Sequence, residues 1–132
     1  MKVEVIPVIE ELDIVTARQA GRKISRSLGF SLVDQTRITT AISELARNIV
    51  LYAGSGTITI RSICNGNRSG IEIIAEDKGP GIANVEKAME DGFSTSGGLG
   101  AGLPGVRRLM DEFEIDTAVG EGTTIKITKW VK

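Results

Sequence analysis

Strand-like segments in this sequence come in adjacent pairs, and that ordering narrows the fold more than any single motif. "KVEVIPVI" alternates and is rich in β-branched residues, so it reads as a strand, with Pro7 pointing to a sheet edge. "TITIRSIC" and "GIEIIAED" read as paired strands around "NGNRSG", and "EIDTAVGEGTTIKITKWV" reads as a closing hairpin bent at "GEG". Helical periods lie between these pairs. Over residues 12–28, Ile14, Val15, Ile24 and Leu28 recur at roughly helical spacing, and Gly29 makes a stop. Ser31 with Asp34 is a variant capping box that opens a second helix over residues 32–53. Its apolar stripe is Ile38, Ile42, Leu45 and Ile49, and Gly54 and Gly56 end it. "LPGVRRLMDEF" reads as a third helix with Pro104 in its first turn and Val106, Leu109, Met110 and Phe113 on its apolar side.

The resulting order is β-α-α-β-β-loop-α-β-β. Paired strands favour antiparallel neighbours, whereas strict βα alternation would favour a parallel sheet. The expected fold is therefore an α/β two-layer sandwich: a mixed, largely antiparallel sheet with helices on one face. The other face must be solvated or used for a partner. At 132 residues the chain is expected to form one domain, residues 1–132.

Composition removes several function classes. A formal net charge of −1 takes away the electrostatic case for nucleic-acid binding. No apolar run approaches the roughly 20 residues needed to cross a bilayer, and the acidic start "MKVEVIPVIEELD" is unlike a signal peptide, so no membrane role is expected. The single cysteine, Cys64, has no internal partner, which makes the cytoplasm the expected location; lying in an apolar run, it reads as a small core residue. The sequence contains no histidine, which excludes Ser-His-Asp and Cys-His chemistry and His-ligated zinc. Proton transfer would have to use a carboxylate, a lysine or a tyrosine.

Three clusters carry chemistry. The first is "STSGGLGAGLPG", in which five of the nine residues from 97 to 105 are glycine. Gly100, Gly102 and Gly105 satisfy G-x-G-x-x-G, but no apolar strand precedes them as a dinucleotide fingerprint requires. Glycines running into a helix N-terminus present free backbone N–H groups and a positive dipole end, an anion site suited to phosphate, with Ser94, Thr95 and Ser96 adding hydroxyls. A plain surface loop is the alternative. The second is "ELARN": Glu44 and Asn48 stand at i and i+4, offset from the apolar stripe, an acid and a neutral oxygen on one helix face. They could serve one ligand and a magnesium ion, or form a solvated face beside Arg47. The third is "EDKGPGI", where Asp77 ends a strand and meets Gly79, Pro80 and Gly81. A carboxylate there can accept a hydrogen bond from an exocyclic amine such as that of adenine, or simply cap a turn.

Taken in order, E-x-x-x-N on a helix, D-x-G-x-G after a strand, a glycine lid into a helix and then G-T on a strand, the chain resembles the GHKL nucleotide-binding family over nearly its whole length. That family holds gyrase-type ATPases, heat-shock protein 90, histidine kinases and bacterial serine kinases that act as anti-sigma factors. The resemblance implies ATP and Mg²⁺ as cofactors, with Asn48 on the metal and Glu44 as the general base. It implies Asp77 on the adenine amine, with Gly79 and Gly81 shaping the pocket. Ser96, Gly98, Leu99, Gly100, Ala101, Gly102 and Leu103 would meet the phosphates, and Thr123 would lie near adenine, with Thr124 as an adjacent ambiguity.

A compact chain with a short lid is most similar to the serine/threonine kinases of bacterial partner-switching stress pathways. That likeness implies STAS-domain scaffold or antagonist proteins as substrates and a PP2C-type phosphatase as the partner activated on release. The alternative within the fold is an anti-sigma factor that phosphorylates its STAS antagonist; outside it, a binding module using ATP only as a conformational ligand. Arg107 and Arg108 are candidate helpers or plain surface charges, and Trp130, Tyr52 and Phe93 are the candidate contact anchors.

Overall fold

A computed structural model describes residues 2–82, 89 and 102–132. Five strands form one sheet: β1 (Val3–Val8), β2 (Gly56–Asn65), β3 (Arg68–Asp77), β4 (Glu112–Ala118) and β5 (Gly122–Trp130), in the spatial order β1-β2-β3-β5-β4. Every pairing is antiparallel, so the parallel component that a mixed sheet would contain does not occur among these strands. Pro7 lies on the edge strand β1, where its missing N–H leaves no gap in the ladder.

Helix α1 (Glu11–Ser27) is entered through Asp13, whose carboxylate accepts the amides of Ile9 at 2.9 Å and Glu10 at 3.1 Å. Helix α2 (Leu32–Asn48) starts at Ser31, whose hydroxyl accepts the Asp34 amide at 3.1 Å. Only this half of the expected capping box forms, because the Asp34 carboxylate turns instead to Arg37, 2.9 Å away. The stripe Ile38, Ile42, Leu45 and Ile49 is fully buried, as its spacing requires. The expected continuation to Ala53 is helical but wider: Ile49–Ala53 is a π turn, closed by the Gly54 amide donating to the Ile49 carbonyl at 2.9 Å.

Helix α3 (Gly102–Leu109) is shorter than the sequence pattern predicts. Phe113, expected on its apolar side, lies in β4 opposite Ile127 of β5. A residue that suits a 3.6 period also suits a period of two, and long-range pairing with β5 decides between them.

Antiparallel register arranges the helix-facing side of the sheet in rows. Ile58, Ala75, Ile125 and Ile115 form one row, and Ile60, Ile73, Ile127 and Phe113 form the next. These pack beneath α1 and α2 with Ile6, Val8, Ile14, Ile24 and Leu45 as the core, and α3 packs against α2 with Leu103, Val106 and Met110 buried. Cys64 corrects an expectation: it is exposed, because its row runs past the helices toward the β2–β3 turn, through half-buried Ser62 to the open end of the strand. On the opposite face, Arg61 pairs with the buried Glu72 at 2.6 Å and Lys126 with the exposed Glu114 at 3.0 Å, opposite charges on neighbouring strands. No helix among the described residues is long and apolar enough to cross a membrane.

Candidate functional site

At one end of the sheet's inner face the apolar rows give way to a small, polar one: Gly56, Asp77, Thr123 and Thr117, successive across β2, β3, β5 and β4. Asp77 is the last residue of β3, and its Oδ1 accepts the Gly79 amide at 2.9 Å. That bond folds the D-x-G-x-G segment back on its own carboxylate and fixes where the second oxygen is presented. Gly79 passes so near the π turn that an added Cβ would sit 2.7 Å from the Ala53 Cβ. The segment that carries Asp77 and the end of the helix that carries Asn48 are thus packed together.

The β4–β5 hairpin closes the other side. Pro80 accepts the Gly120 amide at 2.9 Å, and the Ile82 amide donates to Thr117 Oγ1 at 3.0 Å. Thr117 Oγ1 donates to the Gly122 carbonyl at 3.1 Å and shares a 2.8 Å hydrogen bond with Thr123 Oγ1. Gly81, at φ 75°, would drive a Cβ into the Ala118 carbonyl; Gly122, at φ 111°, would drive one into the Asp77 carbonyl. Both positions require glycine, by backbone angle and by close approach together. Thr123 shares its face with Asp77, whereas Thr124 is on the opposite face, opposite Glu76 and Asp116. Thr117 had no motif to announce it. Only the register of β4, with Phe113, Ile115 and Thr117 on one face, brings it to the site.

The ELARN cluster is not a solvated face. Glu44 is 6% exposed, and its Oε1 is 3.0 Å from Arg47 Nη1. Burying a carboxylate is costly unless it has a partner, and Arg47 supplies one while occupying one of the two oxygens. Asn48 is half-buried one turn on, and among the described residues its carboxamide has no hydrogen-bond partner. No three His, Cys, Asp or Glu side chains among the described residues gather as a metal cage. A carboxamide oxygen with no partner among the described residues suits Mg²⁺ held mainly by phosphates and water, which takes few protein ligands.

Of the glycine segment, Gly102 and Leu103 form the first turn of α3, with Leu103 buried against the core. Ser96, Gly98, Leu99, Gly100 and Ala101 lie outside the described residues, as do Ser94, Thr95 and Phe93. Arg107 and Arg108 are exposed on α3. Trp130 is half-buried with the Arg68 guanidinium 4.2 Å above its ring, and Tyr52 is exposed in the π turn.

Comparison with known proteins bears on the whole arrangement. Residues 33–132 match the model of the family described as histidine kinase-, DNA gyrase B- and HSP90-like ATPases. The serine/threonine-protein kinase RsbT of Bacillus subtilis (strain 168) is 61% identical over 127 residues, covering 96% of each chain. An anti-sigma F factor of Thermoanaerobacter sp. (strain X514) is 36% identical over 100 residues, covering 71% of this chain and 68% of that one. Among solved structures, the RsbU and RsbW domains of a Mycobacterium tuberculosis protein superpose with a TM-score of 0.65 at 20% identity, over 98% of this chain and 32% of that one. At that identity the superposition speaks for the fold alone, and it agrees with the antiparallel sheet and helical layer above. The family match spans the helix with Glu44 and Asn48, the Asp77 segment and the Gly122–Thr123 strand alike: this chain belongs to the histidine kinase-, DNA gyrase B- and HSP90-like ATPase family.

Proposed function

We propose that the chain is a serine/threonine protein kinase of a partner-switching system, transferring the γ-phosphate of ATP to STAS-domain proteins. The kinase activity follows from 61% identity with a curated serine/threonine-protein kinase along nearly the full length of both chains. The substrate class, and a PP2C-type phosphatase as the partner activated on release, extend that reading to this protein. The single observation that carries the nucleotide site is Asp77, a carboxylate held in a turn by the Gly79 amide on the row of Thr123 and Thr117. One oxygen is engaged internally, which leaves the other to accept from the exocyclic amine of adenine.

In this mechanism the acceptor hydroxyl attacks the γ-phosphorus, the bond from that phosphorus to the β,γ-bridging oxygen breaks, and ADP leaves. Glu44 takes the hydroxyl proton, and its ion pair with Arg47 orients the carboxylate for that task. Asn48 would hold Mg²⁺, which would supply charge neutralisation at the phosphates. Amides at the start of α3, Gly102 and Leu103, meet negative charge as it spreads over the transferring group.

The test is transfer of labelled γ-phosphate from Mg-ATP to a STAS-domain protein. Label on a serine or threonine, lost with Glu44→Ala and with Asp77→Asn, is the expected result; an unlabelled STAS protein beside a chain that binds ATP contradicts the kinase assignment to that substrate. The 36% identity with anti-sigma F factors favours a second reading, a kinase that also holds a sigma factor. Capture of a sigma factor by the purified chain would bring that reading forward.

A further inference from the structure

One charge in the core has no part in the mechanism above. The inner face of β5 runs Thr123, Ile125, Ile127 and then Lys129, where the alternation calls for another apolar side chain. Lys129 is nevertheless 4% exposed. Its Nζ donates to the carbonyl of Leu109, the last residue of α3, at 2.9 Å. It also lies 3.9 Å from Asp34 Oδ1, in the first turn of α2, and 3.8 Å from Asp111 Oδ1. Asp111 in turn is clamped to β5, its amide donating to the Thr128 carbonyl at 2.9 Å and its Oδ2 accepting the Trp130 amide at 2.8 Å.

Burying an ammonium is costly, and a buried ion pair is commonly no more stable than an apolar side chain of similar volume. What a lysine supplies here that a methionine would not is direction. It ties one carbonyl at the negative end of the α3 dipole to a fixed point on the sheet. Helix α3 is eight residues long, about 12 Å, and its other end, Gly102 and Leu103, is the phosphate-facing end in the reading above. A short rigid helix pinned at one end is aimed at the other. Lys129 stands six positions along β5 from Thr123, about 20 Å, so the tie acts at a distance from the adenine end.

We propose that Lys129 is a positioning residue: by holding the Leu109 carbonyl it sets the angle of α3 and hence the register of the α3 amides on the ATP phosphates. The inference rests on the ATP-site reading, and its test separates the two. Lys129→Met and Lys129→Arg are purified, and the affinities for ATP and for adenosine are measured beside thermal melts. Lys129→Met is expected to melt in one cooperative transition and bind ATP about tenfold more weakly, with adenosine affinity unchanged, the loss expected when an amide contact to a charged phosphate weakens. Lys129→Arg, which keeps a charged donor, is expected to recover most of the ATP affinity. A folded Lys129→Met chain with wild-type ATP affinity overturns the proposal, as does a parallel loss of ATP and adenosine binding. Should Lys129→Met fail to fold, Lys129→Gln is read by the same ratio of ATP to adenosine affinity and judged the same way. A wild-type chain that binds neither ligand contradicts the ATP-site reading itself.

Discussion

The two faces of the sheet are made from the same five strands and put their polar residues to opposite uses. On the outer face charge is plentiful and self-contained: Arg61 answers Glu72, and Lys126 answers Glu114, across neighbouring strands. On the inner face polar groups are confined to the two ends of an apolar band. Asp77, Thr123 and Thr117 stand at one end, and Lys129 stands at the other. An exposed pair such as Lys126–Glu114 contributes little to stability, whereas every polar group on the covered face must be satisfied or put to use. A polar residue therefore carries information about function on the inner face that the same residue on the outer face does not.

The middle of the inner face should be purely structural. Ile127→Ala removes a fully buried side chain from the second apolar row and is expected to cost about 3–4 kcal/mol in chemical denaturation. ATP affinity per folded molecule should stay at the wild-type value; a specific loss of affinity would break the division drawn here. The polar end should behave in reverse. Asp77→Asn keeps an oxygen for the Gly79 amide but turns the other acceptor into a donor, and is expected to lower ATP affinity by about 100-fold, about 2.7 kcal/mol, with the melting temperature little changed.

Thr117→Val sharpens the comparison further. It removes the acceptor for the Ile82 amide and the donor to the Gly122 carbonyl without changing side-chain shape. The expected cost is about 1–2 kcal/mol of stability with a several-fold loss in ATP affinity, read by denaturation and by titration of the same sample. The outer face should give the smallest response. The Glu114 carboxylate beside Lys126 holds its ammonium pKa above the ordinary 10.5, so the pairing is fully present below that value and lost only as pH rises through the raised one. Glu114→Gln is expected to move the melting temperature by less than about 1 °C, by the same amount at pH 6 and pH 9, and less in high salt.

Local chemistry made much of this architecture legible in the sequence. Pro7 marks an edge, Ser31 a helix start and Ile38–Ile42–Leu45–Ile49 a buried stripe, because each is dictated by residues a few positions apart. The Asp77 segment was legible for the same reason, since its carboxylate and its glycine are neighbours in the chain. What was not legible depends on distant strands. The end of α3 at Leu109 is decided by pairing of Phe113 with Ile127, and the exposure of Cys64 by how far the helices extend over β2. Thr117 reaches the site only through its register with Thr123, and Lys129 becomes a core residue only because α2 and α3 close over it. The π turn after Asn48 has no sequence signal that we can name.

The most direct test of the central claim is a map of backbone amide chemical shifts on addition of Mg-ATP to the wild-type chain. The account predicts that the largest changes fall on Asn48, Gly79, Gly81, Gly102 and Thr123, while Thr59, Ile74 and Lys126 on the outer face stay where they are. Changes centred on the outer face, or none at saturating ATP, would contradict it.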